Sequence, residues 1–200
     1  MPLSEAVERE LLHTRNIRVQ GYRRSDGLFD IEAHLTDFRN QPFTTPDRGT
    51  IPVGEALHEM WMRITIDSTM LITACTASTE FAPFTICPGG AENFARLAGL
   101  TIKSGFLKAA NERIGGVYGC THLRELLQQM ATIAFQTVWS VRKKPDADPQ
   151  STDSAARLLN TCHAYASDGP VVLRRWPLLY TGPADDVASS QMPEPASLKG

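Results

Sequence analysis

Between Phe29 and Phe38 the chain alternates. Phe29, Ile31, Ala33 and Leu35 are apolar, and Asp30, Glu32, His34 and Thr36 between them are polar. Successive strand side chains point to opposite faces, so a period of two predicts a half-buried strand. Ile17 to Tyr22 alternates ahead of it, and Asp26-Gly27 between the two runs is a hairpin turn signal. A third alternating run covers Ala56 to Asp67, with Ala56, His58, Met60, Met62, Ile64 and Ile66 on one side. Asp67-Ser68-Thr69 turns it into a fourth, Met70 to Thr79. Such a succession predicts an antiparallel meander. Residues 39–54, with three prolines and two glycines, read as a long loop, of a length often tied to function.

Beyond Thr79 the period changes to that of a helix. Cys87-Pro88-Gly89-Gly90 reads as a chain break, and Ala91 to Ala98 and Phe106 to Arg113 as short helices. From Thr121 to Val141, Leu123, Leu126, Leu127, Met130, Ala134 and Val138 form the core-facing stripe of a long amphipathic helix, with Thr121 as its N-cap. Residues 143–154 are polar and contain prolines, as linkers do. Ala155 to Tyr165 predicts a helix, Val171 to Leu173 an edge strand or extended arm, and residues 1–14 a short helix or ordered tail. The expected fold is α+β: an antiparallel meander of about four strands, then helices, as one domain over residues 15–180. Residues 181–200, rich in Ala, Ser and Pro, read as a disordered tail.

Composition narrows the partners. The 200 residues are 42% hydrophobic and 21% charged with a net charge of −2, enough apolar content for one core and too little positive charge for a dedicated nucleic-acid or membrane surface. No run of 18 apolar residues predicts a membrane span, and no apolar leader opens the chain. Four cysteines are too few for a disulfide scaffold, so free thiols in a reducing cytoplasm are expected. The oligomeric state is open.

The candidate chemistry centres on two cysteine–histidine pairs, Cys120-Thr121-His122 and Cys162-His163. Cys120 opens the long helix, and helix starts favour the thiolate form that binds metals or attacks substrates. Two residues apart on a helix point in different directions, so a base from another element, such as His58, suits Cys120 better than His122 does. Catalytic candidates are thus Cys120, His58 and His122. A metal site could draw on Cys87, Cys120, His122, Cys162 and His163, donors that suit zinc or iron. Binding candidates for a small molecule are Asp47 and Arg48 in the long loop, His34 on the polar strand face, and Trp61. Arg48 could hold a substrate carboxylate through two parallel hydrogen bonds, or pin its loop to Asp37 or Glu55. The competing account is a non-catalytic binding or accessory protein, its polar residues structural and its ligand held by apolar contacts around Trp61 and Met62. No GxGxxG, GxxxxGK[ST], HExxH or GxSxG motif is present, which takes weight from nucleotide-dependent and common hydrolase mechanisms.

Several blocks resemble a bacterial family catalogued as a domain of unknown function: Gly21 to Asp37, Asp47-Arg48-Gly49, Pro52 to Glu55, Leu57 to Trp61, Gly119 to Leu123, and Cys162-His163-Ala164. The resemblance spans residues 15–180 and implies a bacterial, cytoplasmic, single-domain protein without an assigned activity. The order of sheet then helices, with Cys87 after the sheet and Cys120 at a helix start, is also similar to iron–sulfur scaffold and sulfur-acceptor proteins. The strand-end cysteine and glycine pattern of those scaffolds is missing around Thr76 to Thr79.

Overall fold

The computed structural model describes residues 4–141 and 158–183. The chain divides into two compact units, Met1–Arg142 and Lys143–Gly200, and the boundary falls at the start of the polar segment read as a linker.

The first unit is built on four long strands, β1 (His13–Arg23), β2 (Phe29–Arg39), β5 (Ala56–Ile66) and β6 (Ile72–Phe81), in the order β1-β2-β5-β6 with every neighbour antiparallel. The loop between β2 and β5 carries its own small hairpin, β3 (Phe43–Thr45) and β4 (Gly49–Ile51). Helices follow: α1 (Cys87–Glu92), a 3-10 turn over Asn93–Leu97, α2 (Phe106–Ile114) and α3 (Thr121–Val141). The α+β meander is therefore the architecture observed, and α3 has the bounds its apolar stripe predicts.

Side-chain parity explains the packing. Phe29, Ile31, Ala33 and Leu35 of β2 and Met60, Met62, Ile64 and Ile66 of β5 are all buried on one face. The α3 stripe (Leu123, Leu126, Leu127, Met130, Ala134, Val138) joins them in one core with Phe94, Leu97, Phe106 and Ile114. Each large aliphatic side chain buried this way contributes about 1.5–3 kcal/mol. The opposite face of β2 and β5 keeps Glu32, His34, Glu59, Trp61 and Arg63 half-buried or exposed.

The close approach of α3 to β1 needs a glycine. A Cβ at Gly21 would lie 1.9 Å from Thr137 Oγ1 and 3.0 Å from Thr137 Cβ and Cγ2, so the threonine hydroxyl could not stay where it is. Gly21→Ala is expected to cost about 1–3 kcal/mol in chemical denaturation, the range of an overpacked contact between two elements. Thr137→Ala in the same chain should restore most of that loss.

Several local expectations are corrected. The N-terminal segment forms no helix over residues 4–12; strand β1 starts at His13 because the alternation extends back through Arg15 and pairs His13 with Arg39. Cys87-Pro88-Gly89-Gly90 starts α1 rather than breaking the chain, since a first-turn proline needs no N–H partner. Ala91–Ala98 is then split between the end of α1 and the 3-10 turn. In the second unit, Val171–Leu173 lies in a short helix, α4 (Pro170–Arg175), not a strand. Pro170 opens it after extended Gly169, and Val172 is buried with Trp176. Of the expected helix over 155–165, the described residues 158–165 hold turns and a 3-10 turn at His163–Tyr165, with Asn160 at φ 57°. Residues 155–157 of that span, and residues 184–200 of the expected tail, lie outside the described residues.

Candidate functional site

The inward face of the sheet ends in a polar row. In the registers of β1, β2 and β5, Arg15 stands opposite Asp37 and Asp37 opposite His58. The next row along is Ile17, Leu35 and Met60, so three polar residues occupy positions whose parity belongs to the core. A bulge sits beside the row: Asp37 pairs with His58 but Phe38 pairs with Ala56, leaving Leu57 as the extra residue. Bulges of this kind re-aim side chains next to sites.

Asp37 is the centre. Its side chain is 1% exposed, and Arg15 grips both oxygens, Nε donating to Oδ1 at 2.7 Å and an Nη to Oδ2 at 2.7 Å. Arg15 also pairs with Glu125 of α3. His13 Nε2 lies 3.4 Å from Oδ1. His58 Nδ1 lies 3.1 Å from Oδ2 and His122 Nε2 3.8 Å from the same oxygen. Burial works to raise the Asp37 pKa, but the Arg15 guanidinium, with His13 and His58, outweighs it and holds the carboxyl below the usual carboxylate range.

Two of the histidines around that carboxylate, His58 and His122, are nonetheless disfavoured as cations. Burial, then the neighbouring His122, brings His58 down to about 4 despite Asp37. Burial, then Arg15, also lowers His122. The two imidazoles lie against each other, with ring centroids 3.9 Å apart and planes tilted by 33°. Because Asp37 accepts from Nδ1–H of neutral His58, the lone pair of that ring is on Nε2.

Cys120 stands where α3 begins. Arg124 N donates to Cys120 O at 2.9 Å, so Cys120 and not Thr121 is the cap residue. At that non-helical position the expected divergence from His122 does not hold: Cys120 Sγ lies 3.9 Å from His122 Nδ1, and 3.8 Å from Met60 Sδ. Gly119 makes this placement possible, because a Cβ there would come within 2.2 Å of the Ile114 carbonyl oxygen. Gly119→Ala is expected to displace Cys120 and lower thermal stability by several degrees in calorimetry; an unchanged melting point would show that the approach is relaxed.

A cavity of about 520 Å³ opens at this point, between β5, α1 and the start of α3. His58, Met60, Cys87, Cys120 and His122 are in its wall. The sequence candidates therefore divide. His58, Cys120, His122 and Cys87 share one cavity. Cys162 and His163 lie in the second unit, where Cys162 is exposed. Among the described residues, the donors that gather within 4.8 Å of one another are Asp37, His58 and His122. His34 and Trp61 stack on the outer sheet face at 3.7 Å, with His34 Nε2 3.0 Å from Glu59. Arg48 is bound to the carbonyls of Ala56 and Leu57 and to Glu55, the loop-pinning alternative, while Asp47 accepts from the Thr85 amide and hydroxyl. The remaining thiol, Cys75, is buried, which pushes it up to about 12.

Sequence reasoning missed Asp37, Arg15, His13 and Glu125 as site residues. The signal was present: Asp37 is the odd position after Phe29, Ile31, Ala33 and Leu35, and Arg15 shares the parity of Ile17 and Val19.

A protein family described as a protein of unknown function (DUF2889) matches residues 13–136, more than half of the chain. The chain belongs to this family. The matched region begins on the first residue of β1 and ends within α3, so the DUF2889 region contains the whole Arg15–Asp37–His58 row together with Cys120, His122 and Glu125. The second unit lies outside it. No curated protein and no solved structure matches the chain.

Proposed function

We propose that this protein is an enzyme acting on a small molecule by proton transfer, with His58 as the accepting group. The observation that carries the reading is the hydrogen bond between His58 Nδ1 and the fully buried Asp37, in a residue that lines a cavity. Asp37 positions the ring and selects the tautomer, and it steadies the imidazolium formed when Nε2 takes a proton. Arg15 keeps Asp37 ionised, so the carboxylate does not itself take that proton. His122 and Cys120 complete the polar end of the cavity and meet whatever His58 deprotonates. Asp37, Arg15 and His13 are positioning residues here. The free thiols suit a reducing cytoplasm, and the near-neutral charge suits a small-molecule partner rather than nucleic acid or membrane.

Nitrogen-15 NMR of the histidines tests this directly. His58 is expected to be neutral at pH 7 with its proton on Nδ1. In D2O, the protein should catalyse hydrogen–deuterium exchange next to the carbonyl of small uncharged ketones or thioesters. His58→Gln should lower that exchange about 10²–10⁴-fold, the usual weight of a positioned acid–base group. A doubly protonated His58 at pH 7, or exchange that survives the substitution, would end the reading.

A second reading is a divalent metal on Asp37, His58 and His122, favoured by their gathering within 4.8 Å. Against it, Arg15 already occupies both Asp37 oxygens, and a cation there would sit beside a guanidinium. Equilibrium dialysis against zinc or ferrous iron separates the two. Near one equivalent bound, lost in His122→Ala, would favour the metal; less than about a tenth of an equivalent would retire it.

A further inference from the structure

The mouth of the cavity is apolar and open. Ile86 is 83% exposed and Val117 94%, and Phe84 beside them is nearly half exposed, yet all three line the same cavity as His58 and Cys120. Exposed apolar side chains gathered at one opening mark a binding surface rather than ordinary exposure. They come from two segments, Phe84 and Ile86 before α1 and Val117 in the turn before α3.

The charge pattern restricts what can enter. Among the described residues, no Lys, Arg, Asp or Glu lines the cavity; its polar side chains are His58, His122, Asn93, Thr121 and the two thiols. Arg15 and Asp37 are spent on each other outside the lining. Arg96 and Arg113 border a separate recess with Tyr118 and bind backbone carbonyls, Arg113 reaching those of Arg96 and Ala98 at 2.7 and 2.8 Å. A charged ligand would leave water for a wall without a counter-charge, which is costly. With its Nδ1–H given to Asp37, neutral His58 offers Nε2 as an acceptor, so the matching ligand group is a donor.

We propose that the cavity binds an uncharged, mainly apolar molecule carrying one hydroxyl, which donates to His58 Nε2 while its apolar body lies against Phe84, Ile86 and Val117. The volume of about 520 Å³ lies within the range of small-molecule pockets. The placement of the hydroxyl rests on the proton-transfer reading; the choice of an uncharged apolar body does not.

Calorimetric titration of the full chain with four probes of similar size tests this: 4-ethylphenol, ethylbenzene, 4-ethylbenzoate and 4-ethylbenzylammonium. At pH 7, 4-ethylphenol is expected to bind best, ethylbenzene about tenfold more weakly for want of the hydrogen bond, and the two ions about a hundredfold more weakly. Val117→Asp and Ile86→Asp should each weaken 4-ethylphenol at least about tenfold without moving the melting temperature, because both side chains are exposed. Either ion binding as tightly as the phenol, or both aspartate variants leaving its affinity unchanged, would overturn the proposal. The two readings fail separately. Equal binding of phenol and ethylbenzene with a neutral His58 would remove the hydroxyl contact alone. A doubly protonated His58 with the ligand ranking intact would remove the proton-transfer reading and leave the apolar site.

Discussion

Asp37→Asn is expected to destabilise the protein by about 3 kcal/mol at pH 7, measured by urea denaturation. The carboxylate is 1% exposed and carries two 2.7 Å bonds from Arg15 and one of 3.1 Å from His58. The amide keeps the shape but cannot accept from the guanidinium at both atoms, and it leaves Arg15 with Glu125 as its only remaining counter-charge among these partners. Removing one partner of a buried ion pair typically costs about 3–5 kcal/mol. The lower end applies because Arg15 is 29% exposed and retains Glu125 as a second partner. Once Asp37 is gone, Arg15→Gln should add little, giving a large coupling in the double-mutant cycle. A loss under about 1 kcal/mol, or additive effects, would show that the row is not organised around this carboxylate.

Acid should destabilise the fold well before Asp37 titrates. An unfolded histidine takes its proton near 6.5, whereas burial holds native His58 down to about 4. Between those values the unfolded chain binds the extra proton, so stability falls as pH drops from about 6.5 to 4, and this part levels off below. One shifted histidine of this size is worth about 3 kcal/mol over the window. His122 is shifted the same way and steepens the fall. The Asp37 contribution has the opposite origin: its pKa is lowered, so it is retained across this window and lost only below the ordinary carboxylate range. Denaturation free energies at half-unit pH steps should therefore slope between 6.5 and 4, and His58→Gln should flatten that slope. A wild-type profile flat over this window would show that His58 is not held neutral by burial.

The sheet and the long helix could be read along the chain because parity and 3.6-residue spacing are local properties. Odd positions of β2, even positions of β5 and the α3 stripe all turned out to be the buried ones. The site was half legible for the same reason. His58 stood out as a polar residue at an apolar parity, and Cys120 and His122 by their spacing at a helix start. Asp37 passed unnoticed although it breaks the same rule, because it closes the strand where polar residues are ordinary. The Cys162-His163 pair, singled out for a thiol beside an imidazole, lies in the second unit.

Pairing with distant segments lay beyond any such reading. The 15–37–58 row depends on two strand registers and a bulge at Leu57, and register is decided by which rows of side chains interlock across the sheet. The lowered pKa of His58 follows first from its burial and then from His122, a residue 64 positions further along the chain. The cavity itself forms between β5, α1 and α3. Periodicity along the backbone thus settles which residues face inward, since each side chain follows from its own peptide geometry. What those residues meet once inside is a matter of long-range packing, and the chemistry of a buried carboxylate and imidazole depends on that company.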